Sequence, residues 1–284
     1  MMTFSPQARR ILDELRQDTQ SGATRLALNT LSSLQTWVQH HQPPTDELDN
    51  LLQALAQARP SMTVIGSAMA KIQAQLGQPS RAPDQIIADN LTALENAGGI
   101  IVQQARPLIK EGSTVLTHSA SSVVIRLFTE MARAGDTFSV ICTQSSPGLE
   151  GHDLARKLNE LKVPVTLITD AQMGLFVPRA DLIITGCDCW LTDHHFVNKS
   201  GTLLLALAAR YFDTPFWVLA DSFRDSDKTR ESVHLEEIDT GEMKPPEGRF
   251  IQARNIYFET IPETLITGRI SEQSVFSFPA EPQR

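Results

Sequence analysis

Thr114-Val115-Leu116-Thr117-His118-Ser119-Ala120-Ser121-Ser122 is the stretch whose reading decides the fold. Its first four residues form a short apolar run with β-branched members, as a buried strand requires. Small polar residues end the run, and a helical pattern follows over Ser122–Ala134. The same unit repeats further on. Strand-like runs occur at Phe138–Thr143, Val165–Thr169, Leu182–Thr185 and Phe216–Ala220, with helical patterns at Leu149–Leu161, Ala171–Phe176 and Thr202–Phe212 between them. Runs that are apolar on both faces, alternating with helices over short links, predict a doubly wound parallel sheet.

Upstream the pattern is helical throughout. Leu26, Leu28, Leu31, Leu34, Trp37 and Val38 recur at helical spacing, as do Leu48, Leu51, Leu52, Leu55 and Ala56. Pro43-Pro44 separates these segments, and Thr45-Asp46-Glu47 reads as a helix start. Ile86, Ile87, Leu91 and Leu94 suggest a further helix ending at Gly98-Gly99, whereas residues 224–250 are charged and rich in turn formers, as in an exposed loop. The expected fold class is therefore α/β: a helical N-terminal domain over residues 1–105, followed by a Rossmann-like doubly wound parallel sheet over residues 106–284.

A net charge of −8 argues against an extended nucleic-acid face, which needs clustered Lys and Arg, so direct nucleic-acid binding is not expected. A small basic pocket for one or two phosphates remains compatible with it. The first ten residues hold no apolar signal segment, and the longest apolar run, Leu203 to Ala209, is too short to span a bilayer. Cys142, Cys187 and Cys189 are an odd, sparse set, which suggests reduced thiols. A cytoplasmic protein without membrane contact is expected.

In a parallel sheet the site lies outside the carboxyl ends of the strands. There the sequence places His118-Ser119-Ala120-Ser121-Ser122, Thr143-Gln144-Ser145-Ser146-Pro147-Gly148, Asp170, Gly186-Cys187-Asp188 and Asp221-Ser222. This edge is small, polar and hydroxyl-rich. The turn before the helix at Ser122 offers free backbone N–H groups to an anion, although Ser and Asp are also the residues that cap helices. Asn198-Lys199-Ser200-Gly201-Thr202 sets a cation at a helix N-terminus, against the helix dipole. A bound anion or a nearby carboxylate would offset that, and Asp188 is the natural partner for Lys199. Cys187-Asp188-Cys189 with His194-His195 invites a zinc reading, but no second cysteine pair follows. Packing is expected for the thiols and solvent exposure for the histidines, with no metal and no organic cofactor. His118 is a candidate general base; its sequence neighbour Ser119 points to the opposite strand face, so the pair makes no hydrolase triad. Neither a dinucleotide fingerprint nor a Walker A motif occurs.

Taken together, Val115-Leu116-Thr117-His118-Ser119, Gly186-Cys187-Asp188 and Val197-Asn198-Lys199-Ser200-Gly201-Thr202 resemble a superfamily of three branches. These are the alpha/beta/delta subunits of translation initiation factor 2B, methylthioribose-1-phosphate isomerase and ribose-1,5-bisphosphate isomerase. Gly151, the run Asn159–Thr166, the closing Asn255-Ile256-Tyr257-Phe258-Glu259 with Pro262 and Leu265-Ile266-Thr267, and the helical-domain pieces Ser21-Gly22-Ala23 and Arg59-Pro60-Ser61 fit the same pattern. The resemblance implies a homodimer that binds a phosphorylated sugar or nucleoside monophosphate. It implies Asp188 as the acidic catalytic residue, with Asn198 and Lys199 holding substrate hydroxyls and stabilising charge. Arg59 and the backbone at Gly22 and Ala23 would meet the phosphate, and His118 and Gln144 would line the ligand.

Three positions depart from the pattern. The isomerases' cysteine falls at Ser119, a far weaker acid and nucleophile. The arginine of the family's R-G-A falls at Ser21, and that of its T-R-P turn at Ser146. These losses favour a binding protein with weak or no isomerase activity. The alternatives are an active aldose–ketose isomerase with Asp188 as acid/base, alone or with His118, and a regulatory subunit of a translation-factor assembly.

Overall fold

The computed structural model describes residues 4–18, 21–76 and 81–278. The chain divides into two compact units: Met1–Gly99 with Phe223–Ser226, and Ile100–Ser222 with Asp227–Arg284.

The first unit is helical, with α1 (Pro6–Gln17), α2 (Ala23–His41), α3 (Thr45–Ala58), α4 (Thr63–Leu76) and the first part of α5 (Pro83–Ala105). Local chemistry sets several ends. The Ser5 hydroxyl accepts from the Ala8 N–H, with Pro6 at the first helical position. α2 closes at left-handed Gln42, and Pro43-Pro44 bars continuation before Asp46 and Glu47 open α3. Leu31, Leu34, Leu51, Leu52, Leu55, Ile65 and Met69 are fully enclosed at the centre of this unit. Phe223 joins that core, with the Lys71 ammonium 4.8 Å from its ring centroid, and Arg224 donates to the Thr24 hydroxyl at 3.0 Å. α5 does not end at Gly98-Gly99 but runs on to Ala105. Ile101, Val102 and Ala105 are buried, and that burial outweighs the roughly 1 kcal/mol that each glycine costs a helix.

The second unit holds β1 (Thr114–Thr117), α6 (Ser122–Ala134), β2 (Ser139–Thr143), α7 (Glu150–Glu160), β3 (Val165–Ile168), α8 (Met173–Phe176), β4 (Leu182–Thr185), β5 (Cys189–Trp190), β6 (His195–Lys199), α9 (Thr202–Tyr211), β7 (Phe216–Leu219), β8 (Phe258–Pro262), β9 (Gly268–Ile270) and β10 (Val275–Ser277). The main sheet has the order β10-β9-β7-β4-β1-β2-β3. All its pairings are parallel except β9 with β10. The strand runs anticipated from sequence are these strands to within a residue or two. β3 departs from the two-faced burial expected: as the outermost strand it leaves Thr166 and Leu167 exposed. α6 stops at Gly135, whose φ of 84° allows its N–H to reach the carbonyls of Met131 and Ala132.

The chain leaves β1 outward through β2 and β3, then returns to β4 on the other side of β1. That reversal places the topological switch point between the carboxyl ends of β1 and β4. A second, antiparallel sheet, β5-β6-β8, pairs Asn198 with Glu259 and Lys199 with Phe258. Sequence reading missed it, because two-residue β5 and polar β6 carry no periodic signal. Asn198 and Lys199 therefore end a strand rather than sit in a loop. Among the described residues no helix is long and apolar enough to cross a membrane.

The link from β2 to α7 is steric. A Cβ at Gly151 would collide with the Thr143 carbonyl oxygen, a backbone atom that cannot swing aside. Gly151→Ala is expected to destabilise the protein by about 1–3 kcal/mol, read as a lower urea midpoint at unchanged slope.

Candidate functional site

His118 follows β1 and is 1% exposed, with both ring nitrogens engaged. Nε2 lies 2.9 Å from the Ser200 carbonyl oxygen, which can only accept, so Nε2 carries the proton. Nδ1 is then the acceptor, 2.6 Å from the Thr143 hydroxyl. Thr143 accepts in turn from the Ser145 hydroxyl at 3.0 Å, and Ser145 accepts from the Ser119 N–H at 2.8 Å. The donors thus run in one direction, from the backbone after β1, across the end of β2, to the backbone before α9. Burial lowers the pKa of His118, with Asp170 4.0 Å from Nδ1 only partly opposing it, so the ring is neutral. His118 was read from sequence as a candidate base and ligand-lining residue; its lone pair is spent on Thr143, and its work here is to tie three segments together.

Asp170, after β3, accepts from the N–H groups of Ser145 at 2.9 Å and Ser146 at 2.7 Å. It holds Ser145 at a φ of 61°, and Ser119 likewise sits at a φ of 66°. Non-glycine residues seldom adopt this region and need such anchoring to stay there. The Ser119 hydroxyl itself has no hydrogen-bond partner among the described residues, and the residue is half-exposed. Nor does the Ser121 hydroxyl cap α6; it occupies the space where a Cβ on Gly186 would fall. Among the described residues, the first turn of α6 therefore has no side-chain acceptor, although three serines precede its second residue.

Lys199, at the end of β6, is 2% exposed. Sequence reading paired it with Asp188; its ammonium instead lies 3.0 Å from Glu150 Oε1 and 3.1 Å from the centroid of the Tyr257 ring. The Tyr257 hydroxyl donates to the same Glu150 oxygen. Burial lowers the Lys199 pKa, and Glu150 opposes that shift most strongly. A second carboxylate, Glu259 on β8, accepts from the N–H groups of Gly201 at 2.7 Å and Leu203 at 2.8 Å, neutralising the positive end of α9. Gly201 needs its φ of 108° and its missing side chain, since a Cβ would press on the His118 ring. Asn198 is buried and donates to Thr202 at 3.0 Å. Asp188 is half-buried, its N–H bonded to the Val197 carbonyl at 2.9 Å. Gln144 follows β2, half-buried, with its N–H on the Ile168 carbonyl. Cys187 and Cys189 are buried and the His194 side chain is 84% exposed, whereas the His195 side chain, expected to be exposed as well, is only 17% exposed.

Gly22, Ala23 and Arg59 belong to the helical unit. Gly22 is the extended N-cap of α2, and Ala23 opens that helix. Arg59 ends α3 and donates to the Asp18 carbonyl at 2.9 Å, closing the C-terminal end of α1. Within the second unit, the hydrogen bonds gather His118, Ser119 and Lys199 with four residues that sequence reading left without a role: Thr143, Glu150, Asp170 and Tyr257. Tyr257 and Glu259 lay inside a noted segment, but partners 50 to 110 positions apart leave no mark on local spacing.

A Rossmann-order sheet with a polar carboxyl edge and a desolvated, paired lysine beside it places this chain among the doubly wound α/β proteins. The chain matches the Initiation factor 2 subunit family over residues 19–277, and it belongs to that family. It is 36% identical over 188 residues to a Pyrococcus furiosus protein named translation initiation factor eIF-2B subunit 2-like, covering 66% of each chain. It is 27% identical over 270 residues to the ribose 1,5-bisphosphate isomerase of Archaeoglobus fulgidus, covering 92% of this chain and 86% of that one. The match to the first relative spans just under two thirds of its length. The crystal structure of the Pyrococcus horikoshii OT3 translation initiation factor eIF-2B superposes with a TM-score of 0.80 at 29% identity, over 97% of this chain and 98% of that one.

Thr143→Val keeps the shape at the centre of the site but removes the donor to His118 Nδ1. Leaving that buried acceptor unpaired is expected to cost about 1–3 kcal/mol in urea unfolding. His118 also links stability to pH. Its folded pKa lies below the ordinary 6.5, so its contribution is complete above that value and is lost as pH falls further. Between about pH 7 and 5 the wild type should lose more stability than His118→Gln, as measured by denaturant midpoints at each pH.

Proposed function

We propose that this chain is an initiation-factor-2B-like protein that binds a phosphorylated sugar or nucleoside monophosphate at the carboxyl edge of its parallel sheet, with little or no isomerase activity. The observation that carries this reading is the start of α6 at the switch point. Its first-turn N–H groups have no side-chain cap among the described residues, although Ser121 stands in the capping position. A phosphate there would meet free donors and the favourable end of the helix dipole. Asn198 and Lys199 supply a buried amide and a buried cation for the rest of the ligand.

The chemistry nearby supports binding over turnover. Aldose–ketose isomerisation moves a proton between neighbouring carbons and needs a group able to give and take it. Ser119 stands where the resemblance places a thiol, and a hydroxyl holds its proton far more tightly. His118 is neutral with its lone pair occupied. Asp188 remains, and with the Archaeoglobus relative aligned over most of both chains it favours a second reading, an active isomerase with Asp188 as acid/base. The cell compartment that suits either reading is the cytoplasm.

A thermal-shift screen of sugar phosphates and nucleoside monophosphates tests the first reading. A ligand at a hundred times its Kd should stabilise the fold by about 2.7 kcal/mol and raise Tm by several degrees. Asp188→Asn should weaken the hit by roughly tenfold, or about 1.4 kcal/mol. NMR should detect no ketose from the wild type; ketose formed by the wild type and abolished in Asp188→Asn establishes the second reading, and a screen without hits removes the first.

The homodimer implied by the resemblance has a surface to use. Leu204, Leu207 and Tyr211 share one face of α9 and are 66%, 48% and 77% exposed. If this face is the interface, the wild type should sediment as a dimer and the Leu204→Glu/Tyr211→Glu double variant as a monomer.

A further inference from the structure

We propose that the Tyr257 side chain is a lid over the Lys199–Glu150 pair, and that the ligand opening it is a polyol bearing an oxyanion. One ligand hydroxyl would replace the phenol on Glu150, and an anionic oxygen would replace the ring on Lys199. This deepens the reading above and rests on it for the class of ligand.

The closed arrangement is sealed but poorly satisfied. One oxygen of Glu150 collects both donors, the Lys199 ammonium and the Tyr257 hydroxyl. The other, Oε2, is shut off from solvent with no hydrogen-bond partner among the described residues. A buried carboxylate oxygen without a donor is costly, and a polyol, unlike the single phenol hydroxyl, carries a second hydroxyl that can donate to Oε2. The ring meanwhile lies with its centroid 3.1 Å from the ammonium and covers one face of it. Burial, and next the bond to Glu150, raise the Tyr257 pKa, so the phenol stays protonated and acts as donor.

What moves is the side chain, not the loop. The Tyr257 carbonyl accepts from the Ser200 N–H at 2.9 Å and its own N–H reaches the Glu236 carbonyl at 3.2 Å, so the backbone is held from both sides. The phenol hydroxyl sits against a residue without a side chain: a Cβ on Gly148 would collide with it and would also press on the Glu150 carboxylate. Gly148 does not have a positive φ, so glycine there answers to space and not to backbone conformation. Tyr257 thereby becomes a specificity-determining residue, since a ligand lacking either group leaves the lid shut.

The test labels lysines of the full-length protein with acetic anhydride and reads each site by peptide mass spectrometry, with exposed Lys110 as the internal reference. Relative to Lys110, Lys199 acetylation should rise about tenfold or more in Tyr257→Ala and in Gly148→Ala, and less in Tyr257→Phe, which keeps the ring. Gly148→Ala retains every side chain of the cluster but crowds Glu150 as well as Tyr257, so it serves as a second variant beside Tyr257→Ala and Tyr257→Phe rather than as the deciding one. Lys199 labelling at the wild-type rate in both variants overturns the lid. Ribose 5-phosphate, titrated by calorimetry, tests the ligand arm: it should bind both opened variants tighter than wild type. If Lys199 is unsealed but no variant binds this probe more tightly, the polyol-oxyanion part of the proposal is overturned, and a complete absence of binding counts against the parent reading as well.

Discussion

A neutral imidazole held between the Thr143 hydroxyl and the Ser200 carbonyl is the constraint on which the sheet edge depends. It joins the ends of β1 and β2 to the entry of α9 through a continuous run of hydrogen bonds. A protonated His118 would present a second N–H to Thr143, and burial already penalises the charge. The surrounding backbone is built to suit. Gly201 gives up its side chain to the ring, and Ser119 and Ser145 are held in the left-handed region by the same network and by Asp170.

The charges around this centre follow one rule: each buried one is met by an opposite charge or a helix end. Lys199 is met by Glu150 and the N-terminus of α9 by Glu259. Removing a carboxylate would leave a stranded cation or an uncompensated dipole, which costs more than the intact pair contributes. The lysine is therefore fixed in place by the protein's own groups. Among the described residues, the start of α6 carries no side-chain cap, as is also true of α2, α3 and α7.

The parts of the fold legible in the sequence were those with local causes. β1 and β4 were found to the residue because a four-residue apolar run between turn formers admits few other readings. The carboxyl-edge residues followed from topology, Ser119 and Asp188 among them, whereas Asn198 and Lys199 end a strand of the second sheet. The antiparallel sheet was not legible, since β5 has two residues and β6 carries polar ones. The end of α5 was misplaced because glycine propensity is a local quantity and the burial of Ile101 and Val102 is not.

The amino-acid sequence by itself determined that this chain is a helical segment followed by a parallel α/β sheet, and which polar residues stand at the sheet's carboxyl edge. Periodicity and strand order are enough for that. Only the tertiary structure decided which partner each of those residues takes: Glu150 rather than Asp188 for Lys199, Thr143 for His118, and Tyr257 over the ion pair. The reason is that pairing depends on distances across strands, set by packing of the whole unit, while spacing along the chain records only which face of an element a residue occupies.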